Sequence, residues 1–191
     1  DVCSSDLFPL MSVLALMLAS FAMPLLPNRA VKALSLAVNL FTLILSTACL
    51  FYTAQNGSFT YSVGHYPGPL GIEFLVGPIE SLLAVTFCFV SVSVLLFADK
   101  SIEHDVVAEK VPLYYLLINL LMASLLGIVF TNDLFNAYVF IEVGNLASCG
   151  IVVLKDDRAV MKAGMKYLLM SSLGSGLILL GTAFLYTIDR K

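Results

Sequence analysis

TNDLFNAYVFIEVGNLASCGIVVL, residues 131–154, places one carboxylate, Glu142, inside an apolar run of membrane-spanning length. A helix needs ~20 residues to cross ~30 Å of hydrocarbon, and this run supplies them. A carboxylate in such a run is costly, so it looks into a protein interior or a wet cavity and marks a functional position. Glu142 follows Asp133 by nine residues, ~14 Å along a helix, which puts it near mid-bilayer. Helical spacing puts Tyr138 (i−4), Asn145 (i+3), Leu146 (i+4) and Cys149 (i+7) on its face, while Phe140, Val143 and Ile151 mark others. No Lys, Arg or His lies in the mid-membrane part of any apolar run. Either Glu142 holds its proton at rest or its positive partner lies beyond Lys191. A hydrogen-bonding role between helices is the alternative reading.

Outward from this segment, the 191 residues are 60% hydrophobic and 12% charged, without Trp. Soluble domains run nearer half apolar and a quarter charged, so the chain belongs to the membrane class. Six apolar runs are long enough to span: about 8–26, 33–52, 74–97, 112–130, 132–154 and 163–188. The fold expected is an all-α, polytopic transmembrane helix bundle. Pro24 and Pro27 close the first run. No basic patch suggests nucleic acid, so the environment implied is the lipid bilayer.

Residues 1–7, DVCSSDL, do not continue the apolar run that follows. They look like a translated sequencing-adapter remnant and are set aside as a non-native leader. Residues 8–62 then hold two helices and an outer loop, and residues 63–191 hold helices three to six. The chain is expected to be the N-terminal fragment of something longer.

Basic residues orient the bundle. Arg29, Lys32, Lys100, Lys110, Lys155, Arg158, Lys162 and Lys166 all fall in or beside the loops of one side. The positive-inside rule makes that side cytoplasmic, in a cell inner (plasma) membrane, with the N-terminus outside. The terminal Arg190–Lys191 pair runs against this. The outer loop 53–71 is rich in Gly, Pro and aromatics, which suggests turns or a short hairpin, with His65 an exposed bystander. The stretch 99–110 reads as a solvated connector carrying His104.

Asp133 follows Thr131–Asn132 in a tight turn and is placed to cap the fifth helix, accepting backbone N–H bonds. Proton entrance is its second reading. Glu80 has two placements: a second buried acid with a weak transport role, or an interfacial residue if the third helix begins at Pro78. Arg158, Lys162 and Lys166 step by four along one face of helix six. Snorkelling and topology explain them, with Lys166, the deepest, as a guard of the cytoplasmic proton entrance in the alternative. The small residues Gly144, Ser148, Ser171, Ser172, Gly174, Ser175 and Gly176 suit close helix packing. Asn119 and Ser124 suit either held water near Glu142 or a bond to a neighbouring helix. The four cysteines form no CxxC pair, and with two histidines the chain offers no metal, haem or iron–sulfur site and no cofactor.

The 131–154 tract resembles the fifth helix of the proton-conducting antiporter-like family. It is most similar to the D subunit of multisubunit (Mrp-type) Na+/H+ antiporters, where a tract such as TGDLFNLFVFFEV…ASY is typical. VGHYPGPLGIE resembles that family's outer loop before helix three. KAGMKYLLMSSLGSGLILLGTAFLY resembles its helix six, with the Lys166–Tyr167 pair. Gly77, Glu80 and Asn132 depart from the residues common there. The resemblance implies about fourteen helices containing two inverted repeats, of which this chain carries six. It also implies that Glu142 is the proton-relay glutamate, partnered by a lysine on a broken seventh helix.

The expected function is therefore a proton-translocating subunit of a multisubunit monovalent cation (Na+)/H+ antiporter, working with other membrane subunits. It is an ion transporter and not an enzyme, unless as part of a redox-driven translocase. Two rivals stand: a proton-pumping subunit of a respiratory NADH–quinone oxidoreductase or membrane-bound hydrogenase, and a non-transporting membrane scaffold.

Overall fold

A computed structural model describes residues 8–62, 73–155 and 157–189. The leader 1–7, His65 and the Arg190–Lys191 pair lie outside the described residues, as do the side chains of Lys100 and His104. Six helices follow in order: α1 Phe8–Ala22, α2 Asn28–Asn56, α3 Pro78–Asp105, α4 Val111–Phe130, α5 Leu134–Val153 and α6 Arg158–Asp189. All six have a stretch long and apolar enough to cross a membrane. Two short strands, β1 Phe59–Ser62 and β2 Glu73–Val76, pair antiparallel between α2 and α3.

The expected boundaries move where local chemistry overrides the apolar count. Phe74, Leu75 and Val76 lie in β2 and not in the third helix. Pro78, lacking an N–H, occupies the first turn, and extended Gly77 precedes it, so α3 cannot begin earlier. At its other end α3 continues through the stretch expected to be a connector and stops at Asp105. Buried Ile102 explains the extension, because it joins a core with Val111 and Tyr115 of α4. Arg158 likewise opens α6 five residues before the expected start. Asp157 accepts the Ala159 N–H at 3.1 Å and so puts a carboxylate at the helix end that disfavours Arg158 and Lys162. Gly57 ends α2 with φ +85°, a conformation that costs glycine little.

Helices α1 to α4 form the packed body. Two apolar clusters fill it. One includes Val13, Leu16, Met122, Leu126 and Phe130, and the other includes Met23, Val31, Leu95 and Tyr115. The hairpin closes the first cluster from above, with Phe74 and Val76 pointing in. Its backbone also reaches the α4–α5 turn: Phe74 bridges Thr131, and the Asn132 N–H donates to the Glu73 carbonyl at 2.9 Å.

The α2–α3 pair is held by polar groups. Ser35, Asn39, Thr42, Ser46, Cys49 and Thr53 recur in steps of four and three on α2, all buried. Ser81, Ala84, Cys88, Ser91, Leu95, Ala98 and Ile102 do the same on α3. This is a heptad seam in which small or hydrogen-bonding residues take most of the positions where a soluble coiled coil carries Leu and Ile, with Leu95 and Ile102 the exceptions. Ser91 Oγ donates to Asn39 Oδ1 at 2.8 Å, and Asn39 Nδ2 donates to Asn119 Oδ1 of α4 at 2.7 Å. Asn119 Nδ2 returns to Ser35 Oγ at 2.8 Å. Asn119 thus takes the inter-helix role, tying α4 to α2.

Helix α5 lies along α4 through close approaches. A Cβ on Gly127 would stand 2.4 Å from the Phe140 ring, and one on Gly144 would stand 2.8 Å from Ser124 Oγ. Gly127→Ala is expected to destabilise the protein by about 1–3 kcal/mol through overpacking, read as a lower Tm in detergent. Gly174 and Gly176 of α6, expected to serve close packing, have nothing within 4 Å of a built Cβ among the described residues.

Candidate functional site

Helices α5 and α6 run antiparallel, and side-chain bonds join them at three levels. At one end, Asp133 caps α5, its carboxylate accepting the N–H groups of Phe135 and Asn136 at 3.3 Å each. The hydroxyl of Tyr186 on α6 donates to the same carboxylate at 2.5 Å. In the middle, Ser175 Oγ of α6 donates to Glu142 Oε1. At the other end, Cys149 Sγ donates to the Gly164 carbonyl at 3.4 Å.

Glu142 is therefore half-buried and points at α6, midway along α5. Tyr138 and Asn145 share its face and are also half-buried, and Cys149 is buried. Leu146 departs from the expected inward face. It is 55% exposed, because α6 covers only one flank of the stripe and Leu146 falls beyond it. Ser175 is the residue that sequence reasoning set aside as packing. Only 3% exposed on a helix whose surface is otherwise largely open, it supplies the polar partner that Glu142 needs. A buried hydroxyl opposite a mid-helix acid leaves no mark in spacing within one helix. It becomes visible once α5 and α6 are paired antiparallel in register.

The other candidate residues are spread along the bundle. Lys166 is exposed on α6, nine residues before Ser175 and so ~14 Å further along the axis from the Glu142 level. Arg158 and Lys162 are exposed too. Glu80 sits in the first turn of α3, its carboxylate folded back over Gly77, where negative charge suits the helix end. Ser124 hydrogen-bonds the Leu121 carbonyl and abuts Gly144, so it serves the α4–α5 contact. Among the described residues no three His, Cys, Asp or Glu side chains gather as a metal site. Cys49, Cys88 and Cys149 are buried thiols. A cavity of about 390 Å³ opens beside the Asp133–Tyr186 contact, lined by Asn132, Leu134, Leu185 and Ile188 as well.

Asp133→Ala removes both the cap and the Tyr186 contact. Its expected cost is about 1–2 kcal/mol, read as a lower Tm, against a smaller loss for Tyr186→Phe, which keeps the cap.

Residues 131–190, the α5–α6 unit with its preceding turn, match the NADH:quinone oxidoreductase/Mrp antiporter transmembrane family. The antiporter subunit mnhD2 of Staphylococcus epidermidis is 31% identical over 159 residues, covering 83% of this chain and 31% of that protein. NADH-quinone oxidoreductase subunit N of Desulforudis audaxviator is 29% identical over 184 residues, covering 94% of this chain and 36% of that one. Among solved structures, a chain of the Mrp complex from Dietzia sp. DQ12-45-1b superposes with a TM-score of 0.86 at 21% identity, over 98% of this chain and 35% of that one. A chain of an archaeal membrane-bound sulfane sulfur reductase does so with a TM-score of 0.85 at 21% identity, over 94% and 37%. The antiporter-like resemblance read from the sequence is thereby shown, and the six helices adopt the fold of part of such subunits. The chain spans about a third of the length of these relatives.

Proposed function

We propose that this chain is part of a proton-conducting, antiporter-like subunit of a multisubunit membrane complex, with Glu142 as a proton relay within the bilayer. The observation that carries this reading is Glu142 itself: half-buried midway along a membrane-spanning helix, facing α6, hydrogen-bonded to Ser175. An acid so placed exchanges its proton within a polar interface and not with bulk water. The family match covers the two helices that build this contact. A positive partner, a lysine outside this chain, completes the relay. Asp133 marks the outer end of α5, and Lys166 the cytoplasmic end of α6, where it guards the proton entrance. Glu80 remains an accessory acid at the outer surface. The membrane is the cell inner membrane, with the basic loops cytoplasmic.

The complex exchanges Na+ for protons in the first form of this reading, which the similarity to an antiporter subunit supports. In the second form a redox reaction elsewhere drives the same relay, and the similarity of nearly all of this chain to about a third of an oxidoreductase subunit supports that. Proton flux in the full-length protein within its complex tests the common part. Glu142→Ala abolishes flux while insertion persists, and wild-type flux in that variant ends the proposal. Flux that follows an imposed Na+ gradient selects the first form, and flux that requires electron donors selects the second.

A further inference from the structure

We infer that Ser175 is a positioning residue for Glu142, a hydroxyl that keeps the carboxyl hydrogen-bonded, and in place, in both of its protonation states. The inference rests on the relay reading of Glu142. Three acceptors surround the Ser175 hydroxyl: Glu142 Oε1 across the interface, the Ser171 carbonyl at 3.1 Å and the Ser172 carbonyl at 3.2 Å. A hydroxyl has one hydrogen and two lone pairs, so it serves one acceptor at a time while still able to accept.

The consequences follow the proton. An ionised Glu142 only accepts, and Ser175 gives it its hydrogen. A protonated Glu142 becomes a donor, so Ser175 accepts from it and turns its own hydrogen to the Ser171 or Ser172 carbonyl. The switch is a rotation about one C–O bond, with no helix movement and no water required. The half-buried carboxyl is therefore never left unpaired, the situation that disfavours a polar group away from water.

Tyr138 and Asn145 share the Glu142 face of α5, and among the described residues Ser175 is the side chain hydrogen-bonded to Glu142. On α4, Gly127 meets Phe140 while Ser124 and Leu121 meet Gly144, and the Ser124 hydroxyl is turned to its own helix. On α6 the described cationic side chains, Arg158, Lys162 and Lys166, stand more than two turns away and exposed. Tyr186 is engaged by Asp133 at the far end. Ser171 and Ser172 contribute their carbonyls.

The test uses the full-length protein in its complex, comparing Ser175→Ala, which removes the hydroxyl, with Ser175→Thr, which keeps it. Proton flux is measured alongside the infrared C=O stretch of the protonated Glu142 carboxyl, assigned as the band that vanishes in Glu142→Gln. Ser175→Ala is expected to lower flux about tenfold at equal protein level, and Ser175→Thr to stay within about twofold of wild type. The Glu142 band moves to higher frequency in Ser175→Ala, as a carboxyl that loses a hydrogen bond does, and stays in place in Ser175→Thr. If the Ala variant fails to accumulate, Ser175→Cys, similar in shape but a weak donor, is read by the same band. Wild-type flux in Ser175→Ala, or lost flux with an unmoved band, overturns the inference. Should Glu142→Ala retain flux, the relay reading fails, yet the band shift still decides whether Ser175 serves the carboxyl, so the two failures are distinguishable.

Discussion

Glu142→Gln is expected to leave the protein inserted and folded while proton flux falls by at least about a hundredfold, the scale on which a positioned acid–base group acts. Glutamine matches glutamate in length and shape, and its amide oxygen still accepts the Ser175 hydroxyl. The α5–α6 contact seen at Glu142 Oε1 is thus preserved. What disappears is the exchangeable proton. Glu142→Asp separates chemistry from placement. It keeps the acid but draws it back by one methylene from Ser175, so partial flux is expected, between wild type and Gln. Flux normalised to protein in reconstituted vesicles ranks the three. A Gln variant that conducts as well as wild type would mean that protons pass the bundle without using this carboxyl.

Glu142 was legible because its peculiarity is one-dimensional: a charge in an apolar run announces itself by count alone. The same holds for the six helices and for Asp133 as a cap, whereas the start of the third helix at Pro78 appears only once Gly77 is seen to be extended. What was not legible depends on pairing between segments. Ser175 on α6 reads as one more small residue until α5 fixes the register that sets it against Glu142. Leu146 obeys helical spacing and still faces outward, because spacing gives a face and not the width of the neighbour covering it. Glycines show the same limit from the other side. Gly144 meets Ser124 closely, whereas Gly174 and Gly176 have an open surface among the described residues, and nothing in their local sequence separates the two cases.

The polar seam of α2 is different, since its signal was present and unread. Ser35, Asn39, Thr42, Ser46, Cys49 and Thr53 carry a heptad rhythm as regular as any leucine zipper, but with residues that a hydropathy count treats as interruptions. In lipid, apolar side chains gain nothing by leaving the solvent, so the informative stripe is the polar one. That stripe fixes α2 against α3, and through Asn119 it fixes α4. Helix α4 is in turn the surface on which α5 rests, with Gly127 under Phe140 and Ser124 under Gly144. The placement of Glu142 therefore depends on a network that never touches it.

Asn39 is the centre of that network, and Asn39→Ala is expected to be the most destabilising single substitution in α2. It removes the donor to Asn119 Oδ1, the acceptor for Ser91 Oγ and the donor to the Ser35 carbonyl, all in a site closed to solvent. Stranded polar partners of this kind cost about 1–3 kcal/mol each in soluble proteins, and nearer 0.6–1.7 kcal/mol within membranes, where the unfolded state also finds partners. A total loss of about 2 kcal/mol is the expected reading from thermal or steric-trapping unfolding in detergent. Asn119→Ala should cost a similar amount, because Asn119 also makes three buried bonds, accepting from Asn39 and donating to Ser35 Oγ and the Tyr115 carbonyl. The two changes are coupled through their shared bond, so the double variant should fall short of the sum by about 0.5–1.5 kcal/mol. Strict additivity would show that the two amides stabilise their helices separately. Reduced flux in Asn39→Ala, with the Glu142 carboxyl intact, would show that the α2–α4 platform sets where the proton-carrying helix stands.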